Sequence, residues 1–372
     1  MMKHIIVSVT NDLTTDQRVD RVCKTLIKMG FSVLLVGRKL PGSIPLRGRS
    51  YETRRLSLFF RKGPMFYAEY NIRLFFLLLF SKANLFLSND LDTLLANRLA
   101  SVIRRLPLVH DCHEYFRGVP ELNGRPGTAK IWKIIEDHIF PKLQKVYAVN
   151  ASIARIYHAE YGNEVKAIRN MPFRKTQVTP KTKKELGIPE GHRIILYQGA
   201  VNVDRGLDEA IEAMDHLKTE TVLLIIGVGD ILEKLKKQVA EKKLSGKVIF
   251  TGQIPLEDLF SYTVIADIGL SIEKDVSLNY HFCLPNKFLD YIQANIPVLI
   301  SPLIEMKTIV EKYNIGEMIT SHDPVSLAGK MDEMLNDKEK LDMYRENLRI
   351  AAGELCWENE EQELIRMFHD YV

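Results

Sequence analysis

Short β-branched runs alternate with amphipathic stretches along this sequence, and the alternation occurs twice. In the first half HIIVSVT (4–10), SVLLVGR (32–38), the stretch near YETRRL (51–56), LFLSN (85–89), LVHDC (108–112), KVYAVN (145–150) and VKAIRN (165–170) read as strands. Helices are expected to begin near Asp16, Pro64, Leu91, Thr128 and Ala151. In the second half RIILYQG (193–199), TVLLIIG (221–227), KVIFTG (247–252), ADIGLSI (266–272), PVLIS (297–301) and GEMIT (316–320) repeat the pattern, and the chain is mostly helical from Pro324. Apolar strands separated by helices belong in parallel sheets covered on both faces. The expected class is therefore α/β, with two Rossmann-like, doubly wound parallel-sheet domains: one at 1–172, one at 193–355, a proline-bearing polar linker at 173–192, and a C-terminal helix at 356–372 able to cross back to the N-terminal domain. Open sheets of this kind bind ligands at the carboxyl ends of their strands, so two such domains facing a central cleft would place the site there.

A length of 372 residues suits two domains, and 46% apolar with 26% charged residues is ordinary globular composition. Cys23, Cys112, Cys283 and Cys356 lie far apart without a C-x-x-C pair, which argues against a disulfide framework and a zinc site. The N-terminus enters a β-branched run with no signal-peptide pattern, so a cytoplasmic location is expected. The longest apolar run, Leu74 to Phe80, falls far short of the ~20 residues a membrane span needs. Residues 38–73 hold nine Lys or Arg against two Glu, which concentrates the basic excess of a chain whose net charge is only +4. The adjoining RRLSLFFRKGPMFYAEYNIRLFFLLLF interleaves cations with aromatics. No recognised nucleic-acid module accompanies it, so nucleic acid is not an expected partner. Two readings remain open: a basic, apolar helix at an anionic membrane surface, and a core helix with a solvated basic edge.

The stretch LPNKFLDYIQANIPVLIS (284–301) carries the most chemistry. Pro285 and Asn286 open a helix whose free amides and dipole suit an anion, and Lys287 adds a full charge. Asp290, three residues on, can accept from the two adjacent hydroxyls of a ribose; the alternative is a surface ion pair with Lys287. In YQGAVNVDRGLDEAI, Gly199 ends a strand and Arg205 precedes a helix, so Arg205 is expected at the same mouth of the sheet, where it and Lys287 would neutralise a leaving diphosphate. In LLIIGVGDILEKL, Gly227 and Gly229 permit close backbone approach to a ligand. No third glycine follows, and Lys247 stands where a dinucleotide-binding fold wants an acid, which counts against NAD.

These motifs, with TGQIPLEDLFSYTVIADIGLSI between them, resemble the donor domain of GT-B glycosyltransferases of the family 4 type. The resemblance implies sugar transfer from a nucleotide sugar (UDP-, GDP- or ADP-linked) to a saccharide or lipid-linked acceptor, with retention of configuration, no metal and no cofactor. It suits cell-surface polysaccharide or glycolipid assembly, peripheral to the inner face of the membrane. The family pattern has two glutamates eight positions apart; here the second is Asp290 and the first is replaced by Phe282, with Glu273 or the backbone of 279–284 as substitutes. In LVHDCHEYF, the resemblance implies that His113 hydrogen bonds the transferred sugar, with Glu114 beside it and His110 a buried structural residue. His113, Arg205 and Lys287 are the expected catalytic set. Asp90 and Asp92 form a D-x-D, read first as helix-capping and dipole-favouring groups and second as acceptor-side groups, along with Arg18 and Glu114. H-x-x-H without helical spacing is a weak metal set, so no metal is expected. A sugar-nucleotide epimerase of the same fold and a non-catalytic nucleotide-sugar binder are the rival readings.

Overall fold

A computed structural model describes residues 1–372 apart from Met1, Thr15, Ile44, Arg47, Pro120, Glu121, Asn123, Thr176 and Gln177. The chain forms two compact units: Met1–Asn170 together with Glu358–Val372, and Met171–Trp357.

The first unit is built on strands β1 (His4–Ser8), β2 (Ser32–Lys39), β3 (Glu52–Ser57), β4 (Leu85–Asn89), β5 (Leu108–Cys112), β6 (Lys145–Ala148) and β7 (Val165–Ala167). They form one parallel sheet in the order β3-β2-β1-β4-β5-β6-β7. Every residue of β4 and β5 is buried, as expected of central strands with both faces covered. Between the strands lie helices α1 (Gln17–Lys28), α2 (Gly63–Phe80), α3 (Leu91–Arg104), α4 (Pro126–Ile139) and α5 (Ala151–Tyr161). Asp16 starts α1 by accepting from the Val19 amide at 3.0 Å, the capping that its position before an apolar-periodic stretch suggests.

The second unit carries β8 (Arg193–Gln198), β9 (Thr221–Ile226), β10 (Val248–Gly252), β11 (Ile268–Ser271), β12 (Val298–Ile300) and β13 (Gly316–Met318). These are parallel in the order β10-β9-β8-β11-β12-β13. Its helices are α6 (Leu207–His216), α7 (Leu232–Glu241), α8 (Leu256–Thr263), α9 (Leu278–His281), α10 (Asn286–Gln293), α11 (Ile304–Tyr313), α12 (Pro324–Asn336) and α13 (Lys338–Glu354). Along β8, Ile195 and Tyr197 enter one core with Met214 of α6 and Met331 of α12; Ile194 and Leu196 enter the opposite core with Phe288 and Tyr291 of α10. The period-two alternation of a strand thus feeds two apolar layers. Both sheets are doubly wound, and the α/β class expected from the alternation is the class observed.

One segment sits differently from its plain reading, while the C-terminal helix crosses back as anticipated. Residues 173–192 were expected to be a linker, but Ile188 is buried in the second unit's core, Val178 and Leu186 pack against it, and the Lys181 amide donates to Ser261 O at 2.9 Å. Apolar residues spaced through a polar stretch anchor it to that unit. The last helix, α14 (Trp357–Phe368), passes into the first unit from Glu358 onward. There Glu361 takes hydrogen bonds from Thr25 (2.9 Å) and Lys28 (2.6 Å), Glu360 pairs with Arg169 at 2.8 Å, and Phe368 meets Phe31 edge-on.

Candidate active site

In an open parallel sheet the crevice for a ligand opens where the strand order reverses, outside the carboxyl ends of the two strands there. In the second unit those strands are β8 and β11. The loop after β8 carries Gly199 and Arg205; the residues just after β11 include Glu273.

The glycines of this rim are fixed by loop-against-loop packing. The Gly199 amide donates to Ile226 O and the Val201 amide to Val228 O, so the chain beyond β8 stays paired to the chain beyond β9. A Cβ on Gly227 would lie 1.9 Å from Gly199 O, and one on Gly229 would lie 2.3 Å from Val201 O. The close approach that these glycines permit is therefore made by a neighbouring loop. At Gly227 a φ of +142° adds a second reason for glycine.

The cations converge. Glu273 is completely buried; Lys287 Nζ pairs with its Oε1, Arg205 Nη1 lies 3.4 Å from the same oxygen, and Ser271 Oγ donates to Oε2 at 2.9 Å. Burial alone would raise the Glu273 pKa, but Lys287 and Arg205 hold it below the usual carboxylate value. Burial would likewise weaken both bases, and Glu273 offsets that, so both cations keep their charge. Lys287 sits 4.2 Å from the Tyr197 ring and Arg205 4.9 Å from the Tyr280 ring. One anion between two cations leaves the group net positive. The Arg205 Nε is buried with no hydrogen-bond partner among the described residues.

Three expectations change here. Lys287 does not pair with Asp290, because its chain turns inward to Glu273 while Asp290 stays at the rim. The Asp290 carboxylate accepts from Gln198 Nε2 at 3.1 Å and lies 3.9 Å from Lys175 Nζ. Glu273, considered as a substitute for the missing first acid, is occupied as the counter-ion of both cations. Pro285 occupies the cap position, ahead of the first turn, and makes no side-chain capping bond to α10.

In the first unit the order reverses between β1 and β4. There the Asn89 side chain ties the two strands by donating to Ser8 O at 3.0 Å. His113, just after β5, directs Nε2 at Asn89 Oδ1 (3.0 Å) and Asp111 Oδ2 (3.1 Å). Asp90 Oδ1 accepts from the His113 amide at 2.8 Å, and its other oxygen lies 3.5 Å from His113 Nδ1. Burial would lower the His113 pKa, but Asp90 and Asp111 raise it to about 10. His113 is thus an imidazolium at neutral pH, a hydrogen-bond donor and not a general base. His110, by contrast, is pushed down to about 4 by burial and exchanges a hydrogen bond with Ser88 at 2.8 Å, a structural residue as expected. Glu114 is half-buried on the loop after His113.

The capping role of Asp90 and the placement of Arg18 need correction, while Asp92 lies in the first turn of α3 where the dipole favours an acid. Asp90 stands at the start of α3 but makes no capping bond; φ +56°, ψ 167° turns its carboxylate to His113, in a conformation that residues with a Cβ rarely adopt. Asp92 accepts from Thr10 Oγ1 at 2.6 Å, and burial raises its pKa to about 7. Arg18 was expected to face the acceptor. It is buried, forked onto Asp111 at 2.9 and 2.7 Å, with its remaining nitrogen on Ile168 O at 2.7 Å. Arg18 and His113 together hold the Asp111 pKa well below the usual range, against its burial. Asp111 was not singled out from sequence; an acid flanked by two histidines at a strand end was the available signal. Among the described residues no group of three or more His, Cys, Asp or Glu is arranged to hold a metal ion.

The geometry yields a pH expectation. Raised from an unfolded value of about 6.5, the His113 pKa adds stability that is fully present below that value and fades as pH climbs toward 10. Imidazole NMR is expected to show His113 protonated through pH 8, and Asp90→Asn is expected to bring its titration down by about one unit or more. An unchanged titration in that variant would mean that Asp90 does not hold the charge.

Comparison with known proteins agrees with this architecture. The family model for Glycosyltransferase Family 4 matches residues 16–171, and that for glycosyl transferases group 1 matches residues 178–350. The chain belongs to the GT-B glycosyltransferases of the family 4 type. Among sequence relatives of this GT-B chain is the probable glycosyltransferase WbjE of Pseudomonas aeruginosa, 25% identical over 155 residues, which cover 40% of this chain and 38% of that protein. The chain spans less than half the length of the curated relatives it matches. Among solved structures, sucrose-phosphate synthase from Thermosynechococcus elongatus superposes with a TM-score of 0.80 at 17% identity, covering 99% of both chains. Anabaena HepE, solved in complex with UDP and glucose, superposes with a TM-score of 0.77 at 14% identity over 99% of this chain and all of that one. At such identities the structural likeness speaks for the GT-B fold alone.

Proposed function

We propose that this GT-B chain is a retaining, metal-independent glycosyltransferase. In this reading it moves a sugar from a UDP-, GDP- or ADP-sugar to a saccharide or lipid-linked acceptor in polysaccharide or glycolipid assembly. The observation that carries the proposal is the gathering of Arg205 and Lys287 on one buried carboxylate at the reversal point of the second sheet, beside the start of α10. That combination offers a diphosphate fixed positive charge and backbone amides. The UDP and UDP-glucose in the HepE structures make a uridine donor the first to try.

In this mechanism the bond from the anomeric carbon to the diphosphate oxygen breaks while the acceptor oxygen bonds to the same face. The acceptor proton passes to the departing diphosphate oxygen. Arg205 and the α10 amides hold that oxygen's growing charge, with Lys287 adding potential from behind through its place on Glu273. Asp290 accepts from the ribose hydroxyls. The His113 imidazolium, its Nε2 held by Asn89 and Asp111, gives the rim of the first unit a fixed positive charge. Residues of the first unit receive the acceptor.

A thermal-shift screen with UDP, GDP and ADP tests the donor assignment, since a ligand bound only by the folded state raises its apparent stability. At least one diphosphate is expected to raise the midpoint equally with and without EDTA, and Asp290→Ala to abolish the rise. Activity lost on chelation and restored by manganese would overturn metal independence. An epimeric nucleotide sugar formed from donor alone would favour an isomerase.

A further inference from the structure

Helix α2 is apolar on two opposite faces. One face buries Phe66, Tyr70, Leu74, Leu77 and Leu78. The other carries Met65, Ile72, Phe76 and Phe80, which are 55%, 57%, 53% and 80% exposed. A core helix with a solvated basic edge would line that outer stripe with charges; here one ion pair, Arg73 with Glu69, sits among four exposed apolar side chains. Phe76 and Phe80 lie parallel, their ring centroids 6.4 Å apart, forming a ridge. At the other end of the helix the Phe59 and Phe60 amides donate to Glu69, which presents both exposed rings beside it. Helix α3 runs alongside, tied by Asn71 to Asp92 O (2.8 Å) and by Arg104 to Leu78 O (2.6 Å), and adds exposed Leu99, Val102 and Ile103.

The charge along this stretch of the chain is mostly positive. Between Arg54 and Arg105 the chain has nine Lys or Arg and three acids. Each acid is engaged: Glu69 with Arg73 and the two amides, Asp90 with His113, Asp92 with Thr10. Arg54, Arg61, Lys62, Lys82 and Arg105 are exposed and make no ion pair among the described residues. No helix among the described residues is long and apolar enough to cross a membrane. An apolar ridge bordered by unanswered cations fits the surface of an anionic bilayer, with the rings at the boundary of headgroup and acyl chain and the cations at the headgroups.

We infer that the outer face of α2, continued onto α3, seats the protein on an anionic lipid bilayer, independently of the reaction proposed above. Flotation of the full chain with vesicles tests this. Vesicles of about three parts phosphatidylcholine to one part phosphatidylglycerol are expected to carry the protein, and pure phosphatidylcholine vesicles to leave it behind. Binding to the anionic vesicles is expected to weaken as salt rises. The double substitution Phe76→Ser with Phe80→Ser is expected to weaken that binding at least about tenfold without moving the thermal midpoint or the nucleotide-induced shift. Equal binding to neutral vesicles, or unchanged binding in the double variant, would overturn the inference. So would a lipid-free dimer that the same substitutions disperse, since the face would then belong to a second copy of the chain.

Discussion

Glu273→Gln is expected to lower the unfolding stability of the second unit by about 3–5 kcal/mol, the usual cost of removing one partner from a buried ion pair. Glutamine keeps the size of the side chain and a hydrogen bond for Ser271, so the loss isolates the charge. What remains is Lys287, buried beside the Tyr197 ring, with Arg205 as its nearest charged neighbour. Two like charges without their carboxylate repel, and the amine of Lys287 then loses its proton more readily. Urea unfolding measures the cost, and adding Lys287→Met to the same chain is expected to recover much of it. A single variant as stable as the parent would mean that the three side chains do not share charge in solution.

Arg205→Ala is expected to cut turnover by about 10²–10³, the range seen when one preorganised donor to a developing oxyanion is removed. The guanidinium is three-quarters covered and stacks on Tyr280, so a ligand oxygen at its exposed edge would meet a donor already held in place. Folding is expected to survive, because Lys287 alone still neutralises Glu273. Initial rates at saturating donor, read beside an unchanged thermal midpoint, separate this effect from instability. A loss of less than about threefold would remove Arg205 from the reaction.

The fold was legible because strand and helix periods are local properties. HIIVSVT and TVLLIIG announce buried strands without any partner in view, and the reversal points follow once the strand order is known. The site was legible only in its cations: Arg205 and Lys287 follow strand ends or open helices, and local rules place them there. Their shared counter-ion was harder to see, since Glu273 lies 68 residues from Arg205 and only the fold brings the two together. Arg18 shows the same limit from the other side. Its partner Asp111 is 93 residues away, and without that partner a cation near the start of a helix after the first strand reads as facing the acceptor. Asp90 was misread because capping assumes an extended backbone at the cap, whereas its positive φ turns the carboxylate away from the helix.

The passage of α14 back into the first unit bears on the order of events at the ribosome. Residues 358–372 are translated after the whole of the second unit, yet Glu361 and Phe368 complete the packing around Thr25, Lys28 and Phe31. The portion synthesised first therefore has to wait, with one flank open, until the portion synthesised after it has emerged. Nascent chains released before residue 358 would present that open flank to chaperones, while the later-made half could already be native.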